Sequence, residues 1–387
     1  MNTKEKYARP LESALADWAN DDLLISDKAR ANLHAQHPRV ASLLDWPALR
    51  TLFQQRERSA NQEKRCVRKA GWRAVWSAFL AFTFTALSAI RVDDPHTALS
   101  DIWIWFTGVG AFVFATICIG TGLFQMFHGG RKSHWMVARL WTETLRRLYF
   151  QFLLRNLPVA LEVMTGARPL TEWHAMQADT LAKVQGEELA SPDDALRRVL
   201  QDATEGDAWI LPAWRDAAPT PALKRSPELE EFLEVFEKKR LQLQKDYTNR
   251  KLEGSRLALR GRTRLIRAWF YFFVFVILIL DAGIGILRIV NEAFLPTLHW
   301  MLFFELAAAV TTAGLVSLQM WDRGEQISGE TDRMEWYLAT VDSIYRRYQM
   351  SVSHEQKIGA LNELEAVAYR EMRQFLLSAD RGEFVAG

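Results

Sequence analysis

Four long stretches almost free of charge constrain this chain more than any other feature. They run from Ala74 to Ile90, Ile102 to Phe127, Ala268 to Leu287 and Leu298 to Met320. A helix needs about 20 apolar residues to cross a bilayer core of about 30 Å. A soluble core helix rarely stays apolar around its whole circumference for that long. The expectation is an all-α integral membrane protein: two transmembrane helical hairpins, four transmembrane helices in all, with long cytoplasmic helices.

The bulk composition hides this segregation. Of 387 residues 49% are hydrophobic, and the mean hydropathy is −0.11. A net charge of +2 gives a nucleic-acid partner no support. The opening MNTKEKYARPLESALADW has no apolar core of a cleaved signal peptide. Basic residues flank the hairpins: Lys64, Arg65, Arg68, Lys69 and Arg73 before the first stretch, Arg131, Lys132 and Arg139 after the second, and Arg256, Arg260, Arg262, Arg264 and Arg267 before the third. The short turns 91–101 and 288–297 hold one arginine each, Arg91 and Arg288. The positive-inside rule then predicts a multi-pass protein of the inner (plasma) membrane with both termini cytoplasmic. Tryptophans fall at the expected depths, with Trp72, Trp135, Trp269 and Trp321 inside and Trp103, Trp105 and Trp300 outside. Cys66 and Cys118 suggest no disulfide framework.

The chain also repeats itself. Arg58, Gln62, Arg65, Arg68 and Lys69 before the first hairpin match Arg240, Gln244, Tyr247, Arg250 and Lys251 before the second, at the same spacing. Amphipathic helices trail each hairpin, with Trp141, Leu145, Leu148 and Phe152 on one stripe and Tyr337, Val341, Ile344 and Tyr348 on the other. The organisation expected is an N-terminal helical segment (1–45), a first repeat (46–157), a proline-marked linker with short helices (158–225), a second repeat (226–350) and a final amphipathic helix (351–387). From Pro227 to about Arg267 a single charged rod is expected to run into the third stretch.

The repeated unit of basic helix, two-span hairpin and trailing helix resembles the SLATT domains, the two-transmembrane "SMODS and SLOG-associating" effector domains of bacteria. Arg58, Gln62, Arg68 and Lys69 with Arg139, Glu143, Arg146 and Tyr149 carry the likeness in the first copy, and Arg240, Gln244, Tyr247, Arg250 and Lys251 in the second. The second trailing helix departs from it, with Glu335 and Ala339 in place of Arg139 and Glu143. The resemblance implies a membrane effector of bacterial conflict or anti-phage defence, triggered by a nucleotide second messenger or a sensor protein.

Asp281 and Glu305 are the two acids inside the stretches, and in an antiparallel hairpin they come to similar depth. Such acids face a cavity or a partner, which makes them candidates for an ion pathway. Gly108, Gly120, Gly283 and Gly285 are candidate sites of close helix packing. Arg65, Arg68, Lys69, Arg240, Gln244, Arg250, Lys251, Arg264 and Arg267 are candidates for gating, or for binding a nucleotide phosphate or anionic lipid. No Walker loop, dinucleotide fingerprint, nucleophile elbow or HExxH spacing occurs, so neither an enzyme nor a bound cofactor or metal is expected. The function expected is a homo-oligomeric effector that opens a gated pore in the membrane or disrupts it. The alternatives are a small ion- or proton-coupled transporter and a membrane-anchored scaffold for a cytoplasmic partner.

Overall fold

A computed structural model of the chain describes residues 21–88, 98–127, 130–187, 191–201, 207–214, 223–255, 261–290, 297–325 and 327–381. Among them the regular structure is helical throughout, with no strand. A 3₁₀ turn at Asp21–Leu23 leads into α1 (Asp27–Gln36), α2 (Pro38–Leu44), α3 (Pro47–Ser88), α4 (Ala98–Phe127) and α5 (Gly130–Arg155). There follow α6 (Leu157–Met164), α7 (Leu170–Glu187), α8 (Pro192–Gln201) and α9 (Pro227–Phe236), the last continued by a π-helical turn at Glu237–Gln242 into α10 (Leu243–Ser255). The chain closes with α11 (Gly261–Val290), α12 (Thr297–Glu325), α13 (Ile327–Met350) and α14 (His354–Arg381).

The prolines that punctuate the sequence start helices rather than break them. Pro38, Pro47, Pro192 and Pro227 each occupy the first position of a helix, where the missing N–H costs nothing and the fixed φ is already helical. Ser226 completes the signal, its hydroxyl accepting from Leu229 N–H at 3.2 Å. The segment read as a linker with short helices therefore holds α7, which is 18 residues long.

The chain separates into two compact units, each assembled from both copies of the repeat. One comprises Met1–Gln62, Ser133–Glu253 and Glu330–Asp380; the other comprises Glu63–Lys132, Gly254–Gly329 and Arg381–Gly387. In the first, the two stripes predicted for the trailing helices are both buried: Trp141, Leu145, Leu148 and Phe152 on α5, and Tyr337, Val341, Ile344 and Tyr348 on α13. They share one core with Leu49 and Phe53 of α3, Trp173 of α7, Phe232 of α9 and Leu364 of α14. The carbonyls that end α2 are unpaired within the helix, and side chains from elsewhere in the unit satisfy them. Trp173 Nε1 and Gln177 Nε2 donate to Leu43 O at 3.0 and 3.1 Å, and Tyr149 donates to Leu44 O at 2.9 Å.

The second unit is built on hairpins. α11 packs along α12, and α4 packs on the end of α3 through Phe84, whose ring lies 5.5 Å from that of Phe114. Both hairpins use the same device. A Cβ on Gly110 of α4 would lie 2.6 Å from the Phe84 ring, and one on Gly314 of α12 would lie 2.7 Å from the Phe270 ring. A phenylalanine of the first helix fills the space a glycine leaves on the second. Val75 and Ala78 of α3 meet Met320 and Trp321 of α12 in a small cluster, where the Trp72 and Trp321 rings lie 4.3 Å apart.

The structure corrects the membrane topology. Among the described residues no helix is both long enough and apolar enough to cross a membrane. The two transmembrane hairpins and the multi-pass inner-membrane localisation with cytoplasmic termini are therefore not supported. The tryptophan depths fall with them: Trp135, expected at an interface, packs edge-on against Phe375 of α14 at 5.7 Å. The expected rod from Pro227 resolves into α9, the π turn and α10 as far as Ser255, and residues 256–260 lie outside the described chain.

Candidate functional site

The most unusual chemistry lies inside the first unit, where acids and arginines from four elements meet, Asp22, Arg240 and Glu365 buried and Glu143 and Arg146 partly buried. Asp22 comes from the 3₁₀ turn, Glu143 and Arg146 from α5, Arg240 from the π turn and Glu365 from α14. Arg240 lies on the apolar stripe of α9, one turn beyond Leu229, Leu233 and Phe236, so the helix that buries those residues carries the guanidinium inside with them. Its Nε and Nη2 donate to the two oxygens of Glu365 at 2.7 and 3.1 Å, a bidentate pair. Nη1 is left to reach Asp22 Oδ2 at 3.3 Å. Arg146 approaches the same oxygen through Nε at 3.1 Å, and its Nη1 donates to both oxygens of Glu143 at 3.1 Å. Arg139 closes the far side of Glu143 at 2.6 Å. Two of the guanidiniums lie over rings, Arg240 over Phe150 at 4.0 Å and Arg146 over Phe53 at 5.2 Å.

Asp22, Glu143 and Glu365 thus face Arg139, Arg146 and Arg240, with Glu57 of α3 also acting on Arg146, and burial makes the protonation of the three carboxyls unequal. Burial raises the Asp22 carboxyl above the usual aspartate range, with Arg146 and Arg240 opposing. Burial likewise raises Glu365, against the pull of Arg240. Burial pushes Glu143 up as well, but Arg139, Arg146 and Arg240 together outweigh it and hold this carboxyl at about 2. Asp22 Oδ1 is buried with no hydrogen-bond partner among the described residues. The network carries no nucleophile. Among the described residues, no group of three or more His, Cys, Asp and Glu side chains is placed to hold a metal ion. Its physics is that of a closed ionic lock, costly to open unless another charge takes the vacated place.

The residues singled out in the sequence meet different fates. Arg240 is central to the network; Gln244 accepts from the Tyr337 hydroxyl at 3.4 Å, and Lys251 pairs with Glu330 at 2.7 Å. Arg250 is exposed on α10. Arg65, Arg68 and Lys69 are exposed on α3 in the second unit, with the Arg68 guanidinium 5.9 Å from the Trp321 ring. Arg267 pairs with Asp322 at 2.5 Å. Asp281, Glu305, Arg264, Gly283 and Gly285 lie outside the described side chains. Among the described residues nothing lies within 4 Å of a Cβ on Gly108 or Gly120, whereas one on Gly110 meets the Phe84 ring.

Asp22 and Glu365 escaped the sequence reading. Nothing around Asp22 marks it. Glu365 carried a signal, because it interrupts the apolar stripe of Ile358, Leu361 and Met372 on α14, and an acid on such a stripe implies a buried partner.

The second unit presents a different feature. On α4, Ile102, Trp105, Phe112 and Ile119 are 63, 71, 73 and 62% exposed. With Val109 and Thr116, both exposed, they follow the alternating three- and four-residue steps of a coiled-coil seam. α11 repeats the pattern with exposed Leu265, Trp269, Phe272 and Ile279. Comparison with family models, curated proteins and solved structures finds no match for the chain.

Proposed function

We propose that this chain is an effector that works by association rather than by chemistry, and that it assembles as a homo-oligomer through the apolar faces of its second unit. The observation that carries the reading is the exposed seam of Ile102, Trp105, Val109, Phe112 and Ile119 on α4. Apolar patches of this size mark contact surfaces. With the neighbouring Phe106, Val113 and Ile117, the seam exposes on the order of 800 Å² per copy, about what each partner of a stable interface contributes. Gly108 leaves a notch between Trp105 and Phe112 on the same face. A second copy brings large rings to such notches, the arrangement that Phe84 and Gly110 already use within the chain. The likeness to the SLATT unit agrees with an effector that responds to an intracellular signal. No pore or carrier is proposed, since both need spans.

Sedimentation velocity over a hundredfold concentration range, on the intact chain and on Trp105→Glu/Phe112→Glu, tests this. The expected result is a defined oligomer for the intact chain and a monomer for the variant. A monomer at every concentration, or equal masses for both proteins, overturns it.

A second reading has its own observation. Trp72 and Trp76 are exposed on α3 close to exposed Arg65, Arg68 and Lys69, the mixture that suits the surface of an anionic bilayer. Flotation with anionic but not neutral vesicles, by a chain that sediments as a monomer, selects this reading over the first.

A further inference from the structure

We propose that Arg146 and Arg240 form a binding site for a phosphate group, and that Asp22 occupies it in cis as a latch. Both guanidiniums converge on a single oxygen, Asp22 Oδ2, at 3.1 and 3.3 Å. Each is oriented by its own carboxylate and by an aromatic face, Arg146 by Glu143 and Phe53, Arg240 by Glu365 and Phe150. Withdrawing Asp22 therefore does not collapse the pair. It leaves two fixed guanidiniums, with Arg139 beside them and Glu143, Glu365 and Glu57 around them. The acceptor that both guanidiniums shared is then gone, and a phosphate oxygen suits that place between two arginines.

Leu23 and Leu24 hold the latch in the core, yet its carboxylate is only partly satisfied. Its second oxygen, Oδ1, has no hydrogen-bond partner among the described residues although the side chain is 0% exposed. Two residues on, Leu24 is held at φ 56, a left-handed conformation that a leucine rarely adopts. What keeps it there is Arg30, whose Nη1 donates to the carbonyls of Leu24 and Ile25 at 3.0 Å each. Release of Asp21–Leu24 relieves that backbone, and a phosphate group, with more charge and more acceptor oxygens than a carboxylate, satisfies the pair better than Asp22 does. The site is independent of the association surface, and the proposal stands whether or not the chain oligomerises.

The test uses the full chain and inorganic phosphate, with sodium chloride at matched ionic strength as the control. In the intact protein, phosphate competes with Asp22, so amide exchange at residues 21–25 rises in phosphate and not in chloride. Asp22→Asn removes the competing charge while keeping the shape. Apparent phosphate affinity then strengthens by the reciprocal of the fraction open in the intact protein, at least about tenfold. Exchange at residues 21–25 that is the same in phosphate and chloride overturns the proposal, as does an Asp22→Asn protein that binds phosphate no more tightly. If Asp22→Asn fails to fold, exchange in the intact chain decides alone.

Discussion

Replacing Arg240 with methionine isolates the energetic weight of the buried network. The thioether keeps much of the stem's volume on the Phe150 ring but removes the charge facing Glu365 and Asp22, which are 1 and 0% exposed. Breaking a buried pair by removing one partner costs about 3–5 kcal/mol, because the other charge stays buried without compensation. The loss of the guanidinium over Phe150 adds about 1 kcal/mol. The deficit depends on pH. In the intact protein Glu365 already lies above its ordinary range because of burial; without Arg240 it rises further. A carboxyl raised in the folded state leaves that state holding more protons than the unfolded chain, so stability falls as pH rises from the ordinary glutamate range. The Arg240→Met deficit is therefore larger at pH 8 than at pH 5, where Glu365 is neutral for more of the time. Urea unfolding followed by far-UV circular dichroism at the two pH values measures it, and amide exchange along α14 localises it. Glu365→Leu added to Arg240→Met recovers part of the loss, since the orphaned charge is gone. A deficit below about 1 kcal/mol at pH 8, or one that grows on acidification, refutes the account of Arg240 as the counter-charge of the network.

Four further outcomes follow from individual contacts. Glu143, held at about 2, contributes stability that is complete above the ordinary glutamate value of about 4.5 and is lost as pH falls from there toward 2. Glu143→Gln should cost roughly 3 kcal/mol at neutral pH, with the difference from the parent closing below pH 3 in acid unfolding curves. Gly110→Ala should destabilise the protein by about 1–3 kcal/mol, because its Cβ meets the Phe84 ring at 2.6 Å. Gly108→Ala, with nothing from its own chain within 4 Å, should instead stabilise the monomeric Trp105→Glu/Phe112→Glu protein by about 0.5–1 kcal/mol, and melting temperatures of both glycine variants in that background give the comparison. Tyr149→Phe strips the buried donor from Leu44 O and should cost about 1–2 kcal/mol in the same melts.

Much of the first unit could be read in advance. The stripes on α5 and α13 were visible because seven residues make two helical turns, and nothing interrupts them; both lie in the core. The charged networks were harder. Arg240 stood out as part of a repeat, yet its partners Asp22 and Glu365 are 218 and 125 residues away, and no local pattern encodes a pairing over such separations. The apolar stretches were read correctly as helices and incorrectly as spans. An apolar run gives helix and burial demand together, but it does not say whether lipid or protein meets the demand. Gly108 and Gly110 make the same point at finer grain. Two residues apart, they face different ways on α4, one open and one filled by Phe84.

The π turn carries a lesson about divergence after duplication. Arg58 and Arg240 occupy matching places in the two copies, yet one is on the surface and the other inside. An α-helix turns 100° per residue, and the wide turn at Glu237–Gln242 absorbs one extra residue. Leu241, Thr248 and Leu252, which plain helical counting would place about a third of a turn away from Leu229 and Phe236, are thereby brought back to the buried side. A descendant that deleted one residue there would turn α10 by about 100° relative to α9, so a single codon decides which face of α10 meets the core.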